Sequence, residues 1–233
     1  MYENAPVRVR SEVEDVHRRI WLALGKPGTC WMSAERIGIA REARRARALR
    51  GLAPRVEDPV EPTLPDAAVD IARQVGGRPE SLDEAWYKAS ASALSDAEYV
   101  ELAAVVVQTV AVDVFCRAID IPLHAYPLAR EGEPSRERPA TAVPQEAWVP
   151  TLPSGPAGGE AGRSIWGDAP MPNVIRALSL IPADAALVLA QCEALYLEIP
   201  QVLDPSYEPK RGLERAQIEL IAGRVSAVNE CFY

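Results

Sequence analysis

Apolar positions along this chain recur mostly at helical spacing. After Ser11, the residues Val13, Val16, Ile20, Trp21 and Leu24 fall on one helical face, and Gly25 stops the run. Ser11 with Glu14 reads as a capping box at its start. Ser33 is placed to cap a second helix reaching about Leu49 and closed by Gly51. Asp66 opens a short third helix that stops at Gly76-Gly77. Ser81 with Glu84, and Ser95 with Glu98, repeat the capping-box spacing.

The segment DAEYVELAAVVVQTVAVDVFCRAI, after Ser95, is apolar nearly all round from Leu102 to Phe115. That pattern predicts a central helix covered by its neighbours. Its valines would also suit a buried strand, but a length of about 25 residues and the capping box favour helix. Pro122 and Pro127 end it. Residues 127–170 differ in kind: they hold eight prolines and no periodic apolar pattern. They read as a linker or wrapping arm, anchored by Trp148 and Trp166. Helical patterns return in MPNVIRALSLI, PADAALVLAQCEALYLEI and RGLERAQIELIAGRVSAV. The expectation is an all-α protein: an N-terminal lobe over 1–126, an arm over 127–170, and a C-terminal lobe over 171–233.

Composition narrows the function classes. The chain has 233 residues, 48% of them hydrophobic, enough for a real core. A net charge of −8 argues against a generic nucleic-acid binder. No uninterrupted apolar stretch suits a membrane span, and the N-terminal MYENAPVRVRSEVEDVHRR lacks the apolar core of a secretion signal. These features lead us to expect a cytoplasmic protein with its four cysteines mostly reduced. Cys30, Cys116, Cys192 and Cys231 form no CxxC pair, and His17 and His124 are the two histidines. A metal site is therefore not expected, and no cofactor is. Cys116 and Cys192 lie in apolar helical stretches and Cys30 beside Trp31, so all three read as packed side chains. His124, in IPLHAYP, reads as a turn residue. The run REARRARALR at 41–50, interleaved with alanine, reads as a solvated, salt-bridged helix face.

Two segments resemble each other: ERIGIAREARRAR from Glu35 and ELIAGRVSAVNEC from Glu219. Both begin with Glu after a turn and carry small and aliphatic residues at similar steps. Two copies of one helical unit would then be present. Arg47 stands in the first where Cys231 stands in the second, with Arg50 three residues later.

The end of the chain, ELIAGRVSAVNECFY, resembles the active-site segment of the AhpD-like (alkylhydroperoxidase D-like, carboxymuconolactone decarboxylase) superfamily. In that family a Glu precedes the first cysteine of a CxxC by twelve residues, and a His follows the second cysteine by four. Glu219 and Cys231 have that spacing, and Asn229, Cys231 and Tyr233 fit the Asn-x-Cys-x-Tyr pattern. MPNVIRALSL resembles the approach segment of peroxidase-related members, and LSDAEYVELAAVVVQTVAVDVFCRAIDIPL their central helix. The resemblance is loose over much of the chain and specific over its last twenty residues or so. It implies an AhpD-like helical fold of two related lobes, thiol peroxidase (peroxiredoxin-type) chemistry, a peroxide substrate, a dithiol reductant and a homo-oligomer. It assigns Cys231 as the redox thiol and Glu219 as the proton-relay carboxylate.

The chemistry constrains this assignment. The attacking sulfur must be partly ionised, and a carboxylate alone would oppose that by repulsion. Glu219 is useful as a proton relay instead. Twelve residues span about 18 Å along a straight helix. A break near Asn229 is therefore required, and Asn229 as a new N-cap would place Cys231 in a first helical turn, where the dipole favours thiolate. The second cysteine and the histidine of the motif do not follow within the sequence, so the chain is expected to be truncated inside the motif and impaired or inactive as it stands. A non-catalytic, self-associating helical scaffold and a decarboxylase-like enzyme are the alternatives.

Overall fold

The computed structural model describes residues 1–55, 64–90, 93–167, 171–209 and 212–228. Among these the regular structure is helical, and the extended elements reduce to a single antiparallel bridge between Val143 and Thr151. The all-α expectation holds. The chain divides into two compact units, Met1–Gln191 and Cys192–Tyr233.

The larger unit is built on α1 (Ser11–Leu24), α2 (Ser33–Leu49), α3 (Asp66–Gly77), α4 (Glu84–Ser90) and α5 (Asp96–Ala118). The apolar stripe of α1 is buried through Val13, Val16, Ile20, Trp21 and Leu24, as its spacing predicts. The helix starts are made differently from the expected capping boxes. Ser11 and Ser33 each occupy the first helical position rather than the cap. Glu14 accepts instead from the N-terminal ammonium, and at α2 the Glu35 carboxylate accepts from the Met32 N–H at 2.8 Å. Before α4, Asp83 rather than Ser81 accepts from the Trp86 N–H. At α5 the expected box is present, with Ser95 and Glu98 satisfying each other's N–H groups.

Helix α5 packs against α1, α2 and α3. Leu102, Ala104, Val105, Val106, Val112 and Cys116 are all buried along it. By length and composition α5 would suffice to cross a membrane; in this fold its apolar surface serves the core of the larger unit. Helices α2 and α3 approach closely because Gly76 and Gly77 lie against Ala43 and Ala46. A Cβ at Gly76 would stand 2.7 Å from the Ala43 Cβ.

The arm contains one regular element the apolar pattern does not announce, α6 (Gly159–Trp166), preceded by a 3-10 turn. Trp166 is buried, and Trp148 stacks on Tyr87 at 5.4 Å between ring centroids. The next segments give α7 (Asn173–Arg176) and α8 (Pro182–Leu195). The smaller unit, from Cys192, holds the last residues of α8, then α9 (Ile199–Leu203) and α10 (Arg215–Val228). Arg215 organises it. Its guanidinium donates to the carbonyls of Gln201 and Val202 near the end of α9, and its backbone N–H donates to Glu208.

Candidate functional site

Glu219 lies in the second turn of α10, on an exposed face. One carboxylate oxygen accepts from Arg215 Nε at 2.6 Å, one turn earlier, and the other accepts from the Tyr196 hydroxyl at 2.6 Å. The Tyr196 bond, with burial opposing it and Arg215 adding to it, holds the carboxyl below its ordinary range. Burial, and after it the same bond, pushes the Tyr196 phenol up to about 12. Glu219 is thus an ionised acceptor with both oxygens engaged, one by Tyr196 and one by Arg215. Helix α10 is continuous through Val228. Asn229, Cys231 and Tyr233, and with them the proposed helix break, lie outside the described residues.

The three remaining cysteines are poorly suited to nucleophilic work. Burial pushes the Cys30 thiol up to about 12, and Glu101 adds to the effect. Burial also raises Cys116, which lies in the core of α5. Cys192 corrects the packing expected of it, because the residue is exposed at the end of α8. Its thiol is nonetheless raised, first by partial burial of the group and then by Glu193.

The resemblance between the two Glu-led segments places both on helices, but the paired carboxylates do different things. Glu35 closes the start of α2, whereas Glu219 joins Arg215 and Tyr196.

The larger unit contains an ionic interior that periodicity does not reveal. The arginine run at 41–50 is salt-bridged as expected, with Arg50 exposed and Arg41, Arg45 and Arg47 half-buried, but α2 also turns arginines into the interior. Arg36 and Arg44 are buried, as is Glu42, which accepts from Arg45 and Arg73. Arg36 sits between two carboxylates: it donates to Glu101 of α5 and, through both terminal nitrogens, to Asp184 of α8 at 2.9 and 3.0 Å. Gln108 donates to the same Asp184 carboxylate at 3.1 Å, and the Cys30 N–H donates to Glu101 at 2.5 Å. Burial opposes the Arg36 charge, but the two carboxylates outweigh it and its pKa is raised. The Glu101 carboxyl is also raised, chiefly by burial; Arg36 opposes the shift and Asp184 reinforces it. Eight residues further along α2, Arg44 makes a two-pronged bond to Asp113 at 2.6 and 2.7 Å and lies 4.3 Å from the Tyr126 ring centroid. The signal for these pairs was present: Glu101, Gln108 and Asp113 interrupt an otherwise apolar helix, and buried charges require partners.

The two histidines, 107 positions apart, share one aromatic cluster. His17 Nδ1 and the Tyr2 hydroxyl are hydrogen-bonded at 2.6 Å. The His124 ring stands edge-on to Tyr2 and Trp21, and Phe115 packs edge-on to Tyr2 and His17. Burial lowers His17 to about 4, with His124 adding to the effect, so the ring is neutral at physiological pH. His124 is therefore a packing residue of the larger unit, on an irregular segment rather than in the turn expected for it. Compared with family models, curated proteins and solved structures, the chain matches none.

Proposed function

We propose that this chain is an AhpD-like thiol-redox protein that reduces peroxides, with Cys231 as the reacting sulfur and Glu219 as the proton-relay carboxylate. The observation that carries the reading is the twelve-residue spacing of Glu219 and Cys231 in an AhpD-like sequence context. Two features support it. Glu219 is ionised, so it is able to accept a thiol proton, and the described cysteines all have thiols shifted away from the reactive thiolate. In the proposed step Glu219 takes the proton of the Cys231 thiol, and the thiolate attacks the outer peroxide oxygen. An S–O bond forms, the O–O bond breaks, and the leaving alkoxide receives that same proton back from Glu219. The resulting sulfenic acid condenses with one thiol of a dithiol reductant, releasing water, and the second thiol of that reductant returns Cys231.

The test is peroxide consumption with dithiothreitol as reductant, together with trapping of the sulfenic acid by a 1,3-dione. Cys231→Ser should abolish both signals, and Glu219→Gln should slow turnover by at least ~100-fold, the lower end for a general acid–base group. Activity that survives Cys231→Ser, or a wild-type chain that neither consumes peroxide nor forms the adduct, removes the reading. A second reading, self-association through a non-catalytic helical surface, is favoured by one observation. Leu220, Ile221 and Val225 of α10 are 74%, 54% and 52% exposed. Sedimentation yielding a single monomeric species across the micromolar range would exclude it.

A further inference from the structure

Residues 1–10 lie ahead of α1, and Tyr2 alone among them is buried. Its ring is set among those of His17, Phe115 and His124, and its hydroxyl is hydrogen-bonded to His17 Nδ1 at 2.6 Å. No backbone hydrogen bond among the described residues joins residues 1–9 to the rest of the chain. The terminal ammonium meets Glu14 at 2.8 Å in a partly solvated ion pair, a weak attachment. One ring and one ion pair therefore hold this segment to the helices.

The seat of Tyr2 makes no provision for positive charge. The Nε2 atoms of His17 and His124 are both buried with no hydrogen-bond partner among the described residues. The carboxylates nearby are already committed. Asp113 of α5 gives both oxygens to Arg44 of α2, and Glu14 of α1 accepts from the terminal ammonium and from Arg18. Glu3 stands in solvent beside the same ammonium. Burial, and after it the ammonium and Arg44, lowers His124; burial, and after it His124, lowers His17 to about 4. An imidazolium formed here would lie among cations with no free counterion, so it must be hydrated. Moving the one side chain with few attachments costs less than unfolding the helices. Beneath that side chain lies Cys116, fully buried and within hydrogen-bonding reach of the Tyr2 hydroxyl.

We propose that residues 1–10 form an acid-released latch: protonation of His17 and His124 lifts Tyr2 from its seat and uncovers the Cys116 thiol while the helices stay folded. The open form hydrates both rings and binds protons with their ordinary affinity, whereas the closed form resists them. Opening therefore grows as pH falls below about 6.5. His17 alone, at about 4 when covered, raises the open fraction about 20-fold between pH 7 and pH 5. The latch concerns Cys116 and stands apart from the chemistry proposed for Cys231.

Labelling of the whole chain with 4,4′-dithiodipyridine, resolved cysteine by cysteine through mass spectrometry of its peptides, tests it. Each rate is divided by that of the same cysteine in the urea-unfolded chain at the same pH. Cys116 is expected to label about 20-fold faster at pH 5 than at pH 7, while Cys30, buried elsewhere in the core, labels no faster. Tyr2→Ala should open Cys116 to the reagent already at pH 7. His17→Phe combined with His124→Phe should remove the pH dependence. Circular dichroism on each variant confirms the fold. Cys116 and Cys30 rising together, which marks global unfolding, would overturn the proposal. So would a Cys116 rate indifferent to pH, a Cys116 still protected in Tyr2→Ala, or an unaltered pH dependence in the double histidine variant.

Discussion

Arg44 donates two hydrogen bonds to Asp113 and lies against the ring of Tyr126, all within the interior of the larger unit. A buried pair of this kind adds little over apolar residues of similar size, but removing one partner strands a charge. Asp113→Ala should therefore destabilise the protein by about 3–5 kcal/mol, measured by urea unfolding, while the paired replacement Arg44→Met with Asp113→Leu should recover most of the loss. His17 makes a second residue-level prediction. Its folded pKa of about 4 lies below the ordinary 6.5, so the native state binds fewer protons than the unfolded one. Stability is then full above pH 6.5 and declines as pH falls toward 4, by up to ~3 kcal/mol. Glu101 acts in the opposite sense: its raised carboxyl makes the native state bind more protons, a contribution present at low pH and lost as pH rises through that pKa. Comparison of wild type with His17→Phe separates the two, since only the histidine-dependent loss between pH 6.5 and 4 should disappear. An NMR titration of His17 with a midpoint above 6 would refute the assignment.

At the scale of elements, the close approach of α2 and α3 depends on Gly76, because a side chain there meets Ala43. Gly76→Val should cost about 1–3 kcal/mol as overpacking, read as a lowered unfolding midpoint with little change in m-value. The helices themselves were largely legible in the sequence. The stripe of Val13, Val16, Ile20, Trp21 and Leu24, and the stop at Gly76-Gly77, rest on periodicity and backbone freedom, which are local properties. Caps were less legible, because Glu14 and Ser33 find tertiary partners, the N-terminal ammonium and the Arg130 N–H, that outcompete the local bonds. Helix α6 escaped notice because glycines and prolines dominate its surroundings and only Ile165 and Trp166 anchor it. The ionic interior was hidden for a third reason: an Ala/Arg repeat looks the same on paper whether its arginines meet water or Glu101, Asp113 and Asp184. For the candidate site, the sequence supplied the spacing of Glu219 and Cys231, while the Tyr196 and Arg215 partners of Glu219 became visible only through the fold.

At the scale of the whole molecule, the two compact units differ in how they are stabilised. The larger holds a continuous apolar core around α5, whereas α10 carries exposed Leu220, Ile221 and Val225 and is secured through Arg215 and Glu219. Ending the chain after Ser206 should leave the melting temperature of the larger unit within about 3 °C of the full-length value, a change of under ~1 kcal/mol. Hydrogen exchange of α10 in the full-length chain should likewise run faster than that of α5, because its amides are protected by fewer buried contacts. One feature of the larger unit extends beyond equilibrium. Arg36 and its partner Asp184 are separated by 148 positions. At about 5–20 residues per second, a ribosome exposes the arginine roughly 7–30 s before the aspartate. Throughout that interval the nascent polypeptide has at most one of the two carboxylates that Arg36 finally occupies. The Arg36 charge must therefore stay hydrated until synthesis has reached α8, which makes the expulsion of water from it a late step in the folding of the larger unit.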